Sequence, residues 1–543
     1  MAFIGIHLGD SRSFIAKLDD RGHPAIVSVD GERFMASCVY APKADEGSLI
    51  VGSLARSSLD HEPESVVQHF QGDMGTDKTY RLRHGMELNP VSASAAVIRK
   101  LTQEASKELG PIHEVVITVP TYFAERQRKA TIEAGTQAGL KVIGIVNEPT
   151  AAILAYATQK TVRGMVLIYS FGSGRFDVTI AKVNGSEIEC LTSEGDSELG
   201  GMDFDQKIAE IIDQKYAERF GSTLRDALGL TSEEDERKSP AWQSLLLEAE
   251  KCKKTLSKMP TAPFNFYEGP DGPLKTQVTR QEFERAISSL IAQTEMRVET
   301  ALDSLNLSHD DIDEVLLVGG SSRVPAVKES LRRQFGKEPL EGVNPDEAVA
   351  LGAAIYAGLQ TDKGNLKPKQ REKLSKVSVV DVANHNLGTI SVHQDEELGS
   401  EDLRLSIIIP KNTPLPCSKT KTFYTMYEGQ KFFRCRVTQS ADEEDDPDFV
   451  TIIMDGELGP FPPGRAAQQP IEMTFSYDLD QTIHVRFRDV NSGMVLTLTP
   501  GDKQGSITRV PDFRIEEMEE GRSKNTPKEI FVPDIRLEYP TDL

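Results

Sequence analysis

One tryptophan and five cysteines are all that 543 residues hold of those two types. Cys38, Cys190, Cys252, Cys417 and Cys435 are odd in number and widely spread, with no C-x-x-C pair, so neither a disulfide framework nor a zinc site is expected, and a reducing compartment is. No run of about 18 apolar residues occurs, and the opening MAFIGIHLGD lacks a basic stretch and a sustained apolar core. The chain therefore reads as cytoplasmic, with no membrane partner. Basic excess is missing too: 62 Lys plus Arg against 84 Asp plus Glu leave a formal charge of -22. That balance argues against a surface that binds nucleic acid throughout, and direct DNA contact is not expected.

What is present is too long for one core and divides by periodicity. Up to about residue 360, near-continuous apolar strands such as VVITVP (115–120), VIGIV (142–146), MVLIYS (165–170) and EVLLVGG (314–320) alternate with amphipathic helices at 124–140 and 149–159. Strands of that kind are covered on both faces, which predicts an α/β region. Two strand-turn units about 165 residues apart predict a duplicated, two-lobed architecture whose turns face a cleft. A helix-rich insertion is expected over 201–305. Residues 361–382 read as a linker, polar and basic up to 376 and ending in VSVVDV. From 383 to 510 the period is two: TISV, LRLSIII, KTFYTMY, KFFRCRV, FVTIIM, IEMTFSY, TIHVRFRDV and MVLTLT predict an all-β sandwich. The tail, 511–543, carries Pro511, Pro527, Pro533 and Pro540 and is expected to hold at most short structure.

Three loops carry the chemistry: IGIHLGDSRS (4–13), YSFGSGRFDVTI (169–180) and LLVGGSSRVP (316–325). A phosphate cradle needs backbone N–H groups aimed at the anion without a Cβ in the way, which gives Gly5, Gly9, Gly172 and Gly174 a meaning beyond hairpin turns. Gly319 and Gly320, together with a helix bearing Glu250, Lys253, Lys254 and Ser257, complete four elements in order.

In these residues the chain resembles the seventy-kilodalton heat-shock chaperone family, with its actin-like ATPase domain. The resemblance is carried further by VPTYFAERQRKAT (119–131), GIVNEPTAAILAYA (144–157), GDSELGGMDFD (195–205) and NPDEAVALGAAIYAG (344–358). It implies an actin-like nucleotide-binding domain over 1–360 and a β-sandwich behind the linker, without the family's long helical lid. It also implies ATP as cofactor. Gly9, Asp10 and Ser11 would form the first turn, and Gly172, Ser173, Gly174 and Arg175 the second. Gly201, Gly319, Gly320, Ser321, Arg323 and Asp346 match nucleotide contacts, and Glu250, Lys253, Lys254 and Ser257 match the adenosine helix. An Arg guanidinium stacks well on a purine, and helix positions three or four apart share a face.

The chain departs from the family where hydrolysis is carried out. His7 stands for an Asp, Asp10 and Ser11 for Thr residues, and Ser170 and Arg175 for an Asp and a Thr; Ser173 replaces a Gly, and the family's catalytic Lys falls near Phe70 or Gln71. Glu148 and Asp177 remain as candidate magnesium ligands, fewer than octahedral positioning of metal and water asks for. These losses lead to the expectation of a non-enzyme, an ATP-binding protein with little or no turnover and no catalytic residue. The alternative is an active ATP-hydrolysing, peptide-binding chaperone with a rebuilt metal site. A sugar kinase on the same fold is disfavoured, since it needs no β-sandwich. Asp10 would repel phosphate by about 4 kcal/mol at ~4 Å and an effective dielectric near ~20. Arg175, with Arg12 or a protonated His7, is expected to compensate.

In the β domain, Ile390, Phe432 and Phe433 fall near the family's peptide cleft, although aromatic residues on strands are more often core. The short end and altered loops resemble the family's atypical ribosome-associated branch, the stable partner of the J-domain protein zuotin. That resemblance implies a co-chaperone bound to a zuotin-like protein. It would reach the ribosome through that partner and help a second, active heat-shock chaperone on nascent polypeptides. ADEEDDPD (441–448) reads as a solvated turn or a partner contact, and the basic 363–376 run as a solvated linker or an RNA contact.

Overall fold

The computed structural model describes residues 3–509 apart from 43–48, 84, 161, 341, 395–400, 442–445, 447, 449, 479–480 and 499–505. The acidic turn at 441–448 lies largely outside the described residues. So does the tail at 511–543, and with it the expectation about a lid.

Strand β1 (Phe3–Leu8) pairs antiparallel with β2 (Arg12–Leu18) around the first turn. After helix α1 (Pro90–Leu109), β3 (Glu114–Val119) joins β1 in parallel and β4 (Lys141–Asn147) joins β3. The start of α1 is fixed locally: Asn89 and Ser92 cap each other and Pro90 opens the first turn. Helices α2 (Glu125–Gln137) and α3 (Glu148–Gln159) follow β3 and β4. The plan then repeats. Strands β5 (Arg163–Phe171) and β6 (Phe176–Asn184) form the second antiparallel hairpin, and β7 (Glu187–Asp196) extends it.

The inserted region holds helices α4 (Gly201–Phe220) and α5 (Pro240–Leu256), then an antiparallel hairpin of β8 (Thr261–Phe266) and β9 (Leu274–Thr279). Reading 201–305 as helix-rich misses that hairpin, although TAPFNF alternates exposed and buried residues and GPDG turns between the strands. After α6 (Ser288–Ser304), β10 (Glu314–Val318) returns parallel to β5 as β3 does to β1, which completes the second lobe. Helices α7 (Pro325–Phe335) and α8 (Ala348–Gln360) follow. The lobes meet where α8 lies against α3 and β1. A Cβ on Gly352 would sit 1.6 Å from the Ala151 carbonyl oxygen, and one on Gly5 2.2 Å from the Ala354 nitrogen.

The segment read as a solvated linker is partly structured. Helix α9 (Pro368–Leu374) buries Leu374 in the core, and the Gln370 amide donates to the Asp19 carbonyl at 2.8 Å. Strand β11 (Ser378–Val380) then adds in parallel to β7, Glu187 opposite Ser378. Beyond it the Asp381 carboxylate accepts from Asn147 Nδ2 and Thr150 Oγ1, each at 2.9 Å. Burial pushes this carboxyl above its ordinary range. Asp381→Ala leaves both buried donors without their acceptor, at an expected cost of about 1–3 kcal/mol. The result to look for is faster hydrogen exchange at 378–380 in the variant, with exchange in β1 unchanged.

Behind the linker come β12 (Asn386–Gln394), β13 (Glu401–Ile409), β14 (Cys417–Tyr424), β15 (Phe433–Ser440), β16 (Thr451–Leu458), β17 (Pro470–Tyr477), β18 (Ile483–Asp489), β19 (Met494–Leu498) and β20 (Ser506–Arg509). They form two antiparallel sheets in the orders β13-β12-β15-β16 and β14-β17-β18-β19-β20. The period of two is visible in β17, where Ile471, Met473, Phe475 and Tyr477 are buried and the residues between are not. Strand β20 is a ninth, beyond the eight read from sequence. The sandwich docks on the second lobe through Lys411 Nζ to Glu194 Oε1 at 2.5 Å and Asn412 Nδ2 to Thr192 Oγ1 at 3.1 Å.

Candidate functional site

The three loops converge at the carboxyl ends of β1, β5 and β10, where an open α/β sheet presents its ligand crevice. The first two turns face each other so closely that a Cβ on Gly174 would lie 2.6 Å from Asp10 Oδ2. Gly172 O accepts from Gly201 N at 3.0 Å and from Ser321 Oγ at 2.7 Å, so the second and third loops are tied to the start of α4. Ser173 O accepts from Met202 N at 2.7 Å. Gly319 has φ +81, and a Cβ there would lie 2.3 Å from Phe171 O; only glycine suits this position. Gly320 lies beside Asp346, and Ser11 is fixed through its carbonyl, which accepts from Ser37 N at 3.0 Å.

The adenosine-type residues form one charged wall. Lys253 Nζ donates to Gly201 O at 2.5 Å and pairs with Asp205 at 2.7 Å, while Ser257 caps the helix end by donating to Lys253 O at 3.0 Å. Glu250 sits between Arg56 at 2.5 Å and Lys254 at 2.7 Å. Burial alone would raise the Glu250 carboxyl, but those cations hold it at about 2. Arg323 makes two bonds to Asp346, at 2.7 and 3.0 Å. A cavity of about 690 Å³ opens between α6 and α7, bounded by Ser257, Arg280, Ile291 and Arg323, and is large enough for a purine.

At the phosphate end two of the expected compensators do not serve Asp10. Arg12 lies 3.7 Å from Asp346 and 4.6 Å above the Phe34 ring. His7 is held neutral because burial pushes its imidazole below the ordinary range, more than nearby Glu148 raises it. Its Nδ1 is 2.9 Å from Thr118 Oγ1. The direct partner of Asp10 is His69, with Nδ1 3.1 Å from Oδ2. Burial would raise the Asp10 carboxyl, but His69, with Arg175 further off, holds it below its usual value. Sequence reasoning passed over His69, and its only local signal is a histidine ahead of Phe70, Gln71 and Gly72.

Arg175 is 6% exposed, and its guanidinium reaches from the second lobe to Tyr122 Oη at 3.0 Å and to Gln71 Oε1. Gln71 is one of the two positions near which the family's lysine was expected; the other, Phe70, is buried. Asp177 accepts from Thr121 Oγ1 at 2.8 Å, and burial beside Glu148 pushes its carboxyl up to about 7. One oxygen of each, Asp177 Oδ2 and Glu148 Oε1, has no hydrogen-bond partner. Magnesium fits this set poorly. No cluster of three metal-ligating side chains occurs among the described residues, and the two carboxylates, Asp177 pushed toward its neutral form by burial, share their space with a buried guanidinium.

The three peptide-cleft candidates do not form one cluster. Ile390 is half-buried opposite Leu405, Phe433 packs on the sandwich core opposite Leu458, and Phe432 is 44% exposed. Leu403, Tyr424, Met426 and Tyr427 are more exposed than any of the three, and Val392, directly opposite Leu403, is exposed as well.

The family profile described as Hsp70 protein matches residues 3–529. The chain is similar to the chaperone protein DnaK of Thermotoga neapolitana, 36% identical over 499 residues that cover 90% of this chain and 78% of the relative. The same figures hold for the DnaK proteins of Thermotoga petrophila and Thermotoga maritima.

Proposed function

Because the chain belongs to the Hsp70 family, we propose that it is an ATP-hydrolysing, peptide-binding chaperone whose phosphate end has been rebuilt. The expectation of a non-enzyme is corrected. Identity of 36% to DnaK chaperones over 90% of the chain points to ATP hydrolysis, and the changes at His7, Asp10, Ser170 and Arg175 do not outweigh it. Those changes alter how charge is supplied; they leave the strand ends, the adenosine wall and the linker strand in place.

The observation that carries the reading is the convergence of three glycine loops on one cleft, with β11 tying the second lobe's sheet to the apolar β-sandwich. Backbone N–H groups would hold the polyphosphate, Ser257 and Arg323 the adenosine, and the Val392–Leu403 face an extended peptide. Single turnover of pre-bound ATP by the purified full chain tests the proposal. ADP should appear faster than in protein-free buffer, and ATP recovered intact at the same rate as in the blank refutes it. A fluorescent apolar peptide should bind and be released on addition of ATP.

We also propose the finer arrangement: a cytoplasmic chain in stable complex with a J-domain protein at the ribosome. The -22 charge favours reaching RNA through a partner. Native purification and mass spectrometry of what co-elutes decides it; a chain that elutes alone refutes it.

A further inference from the structure

Arg175 carries a buried guanidinium on the second of the two glycine turns that face each other. It leaves the second lobe at the β5–β6 turn, and both of its side-chain partners, Tyr122 Oη and Gln71 Oε1, belong to the first lobe. These acceptors are neutral, and among the described residues no carboxylate oxygen lies within ion-pair distance of the guanidinium. Asp10, in the facing turn, is already engaged with His69. The carboxylates of Glu148, Asp10 and Asp177 offset the cost of burying this charge from beyond ion-pair distance, so the guanidinium has no direct anionic ligand of its own.

Glu148 and Asp177 face the same space, each with one unpartnered oxygen. They act on the guanidinium at longer range, as does Asp10. A divalent ion placed here would meet a fixed positive charge that it cannot displace, since arginine does not deprotonate. The donor set is also short of an octahedron.

We infer that Arg175 is the resident cation of the nucleotide cradle, a lobe-spanning guanidinium that takes the place of a divalent metal beside the polyphosphate of ATP. The inference rests on the ATP reading above. Its consequence is that ATP is held without magnesium, and that the two lobes are pinned to each other before nucleotide arrives.

Calorimetric titration of ATP into the nucleotide-stripped full chain tests this, in EDTA and in excess magnesium. The wild-type dissociation constant should agree between the two buffers to within about threefold. Arg175→Ala should weaken binding in EDTA by roughly a hundredfold, the scale of losing one partner of a buried charged contact, and Arg175→Lys should lose less. Wild-type binding that strictly requires magnesium overturns the inference and leaves the ATP reading standing. Arg175→Ala binding as tightly as wild type in EDTA also overturns it. Absence of binding in both buffers overturns the ATP reading itself. Should Arg175→Ala fail to fold, the wild-type comparison between EDTA and magnesium decides alone.

Discussion

Replacing Gly352 with alanine should lower the melting temperature of the full chain by ~10 °C or more, the scale expected for about 4 kcal/mol lost in a large domain. Helix α8 crosses α3 at this residue, and the added methyl would stand 1.6 Å from the Ala151 oxygen and 2.3 Å from its carbonyl carbon. Backbone cannot rotate away as a side chain does, so the helices must separate by on the order of 1 Å. Room is lacking on either side: Ala151, Ala152, Ala350 and Ala353 are fully buried, and α8 also presses on β1 at Gly5. The displacement therefore reaches the strand that carries the first glycine turn, so nucleotide affinity should fall along with stability. Thermal unfolding followed by circular dichroism checks the first effect; a midpoint within a degree or two of wild type would show that α8 and α3 are not so closely packed.

The second large effect lies in the β-sandwich. Arg465 grips Asp489 with two bonds, at 2.7 and 2.5 Å, and its guanidinium lies 4.1 Å over the Phe461 ring. Asp489 is fully buried and Arg465 nearly so. Truncating Arg465 to methionine strands a buried carboxylate at an expected cost of about 3–5 kcal/mol, whereas Arg465→Met with Asp489→Leu should recover most of it. The pair also sets a pH dependence. Burial alone would raise the Asp489 carboxyl, but hydrogen bonds from Arg465 and Ser492 more than offset that and hold it below its ordinary 3.8. A carboxyl depressed in the folded state contributes stability above its unfolded value and loses it as pH falls through the folded one. Urea unfolding of the wild type should weaken from about pH 4 downward, and the double variant should show a flatter profile over the same range.

The two-lobed plan was legible because buried parallel strands are apolar without interruption, as in MVLIYS and EVLLVGG, and because turns need glycine for steric reasons that sequence displays directly. Strand β17 was equally plain from its alternation. What escaped depends on contacts between distant residues. Nothing local to Leu374 or Gln370 tells that α9 packs on the first lobe instead of hanging in solvent. His69 is 59 positions from Asp10, and its role appears only when the first turn is folded against it. Arg12 and His7 sat in the right loop but turned elsewhere, Arg12 toward Asp346 and Phe34, His7 into a buried contact with Thr118. The reading of the chain as a non-enzyme failed for a related reason: it rests on a handful of loop side chains, while the similarity that overturns it is spread over 499 residues.

Strand β11 carries one more consequence. It covers β7, which would otherwise be the outer strand of the second lobe's sheet with a row of unpaired N–H and C=O groups. Exposed edges of this kind recruit strands from other molecules. Residues 378–380 thus shield the lobe from its own neighbours in solution, and each excursion of the linker from its place uncovers an adhesive margin. Crowded preparations in which the linker is loosened should form intermolecular sheet and scatter light before the lobes themselves have unfolded.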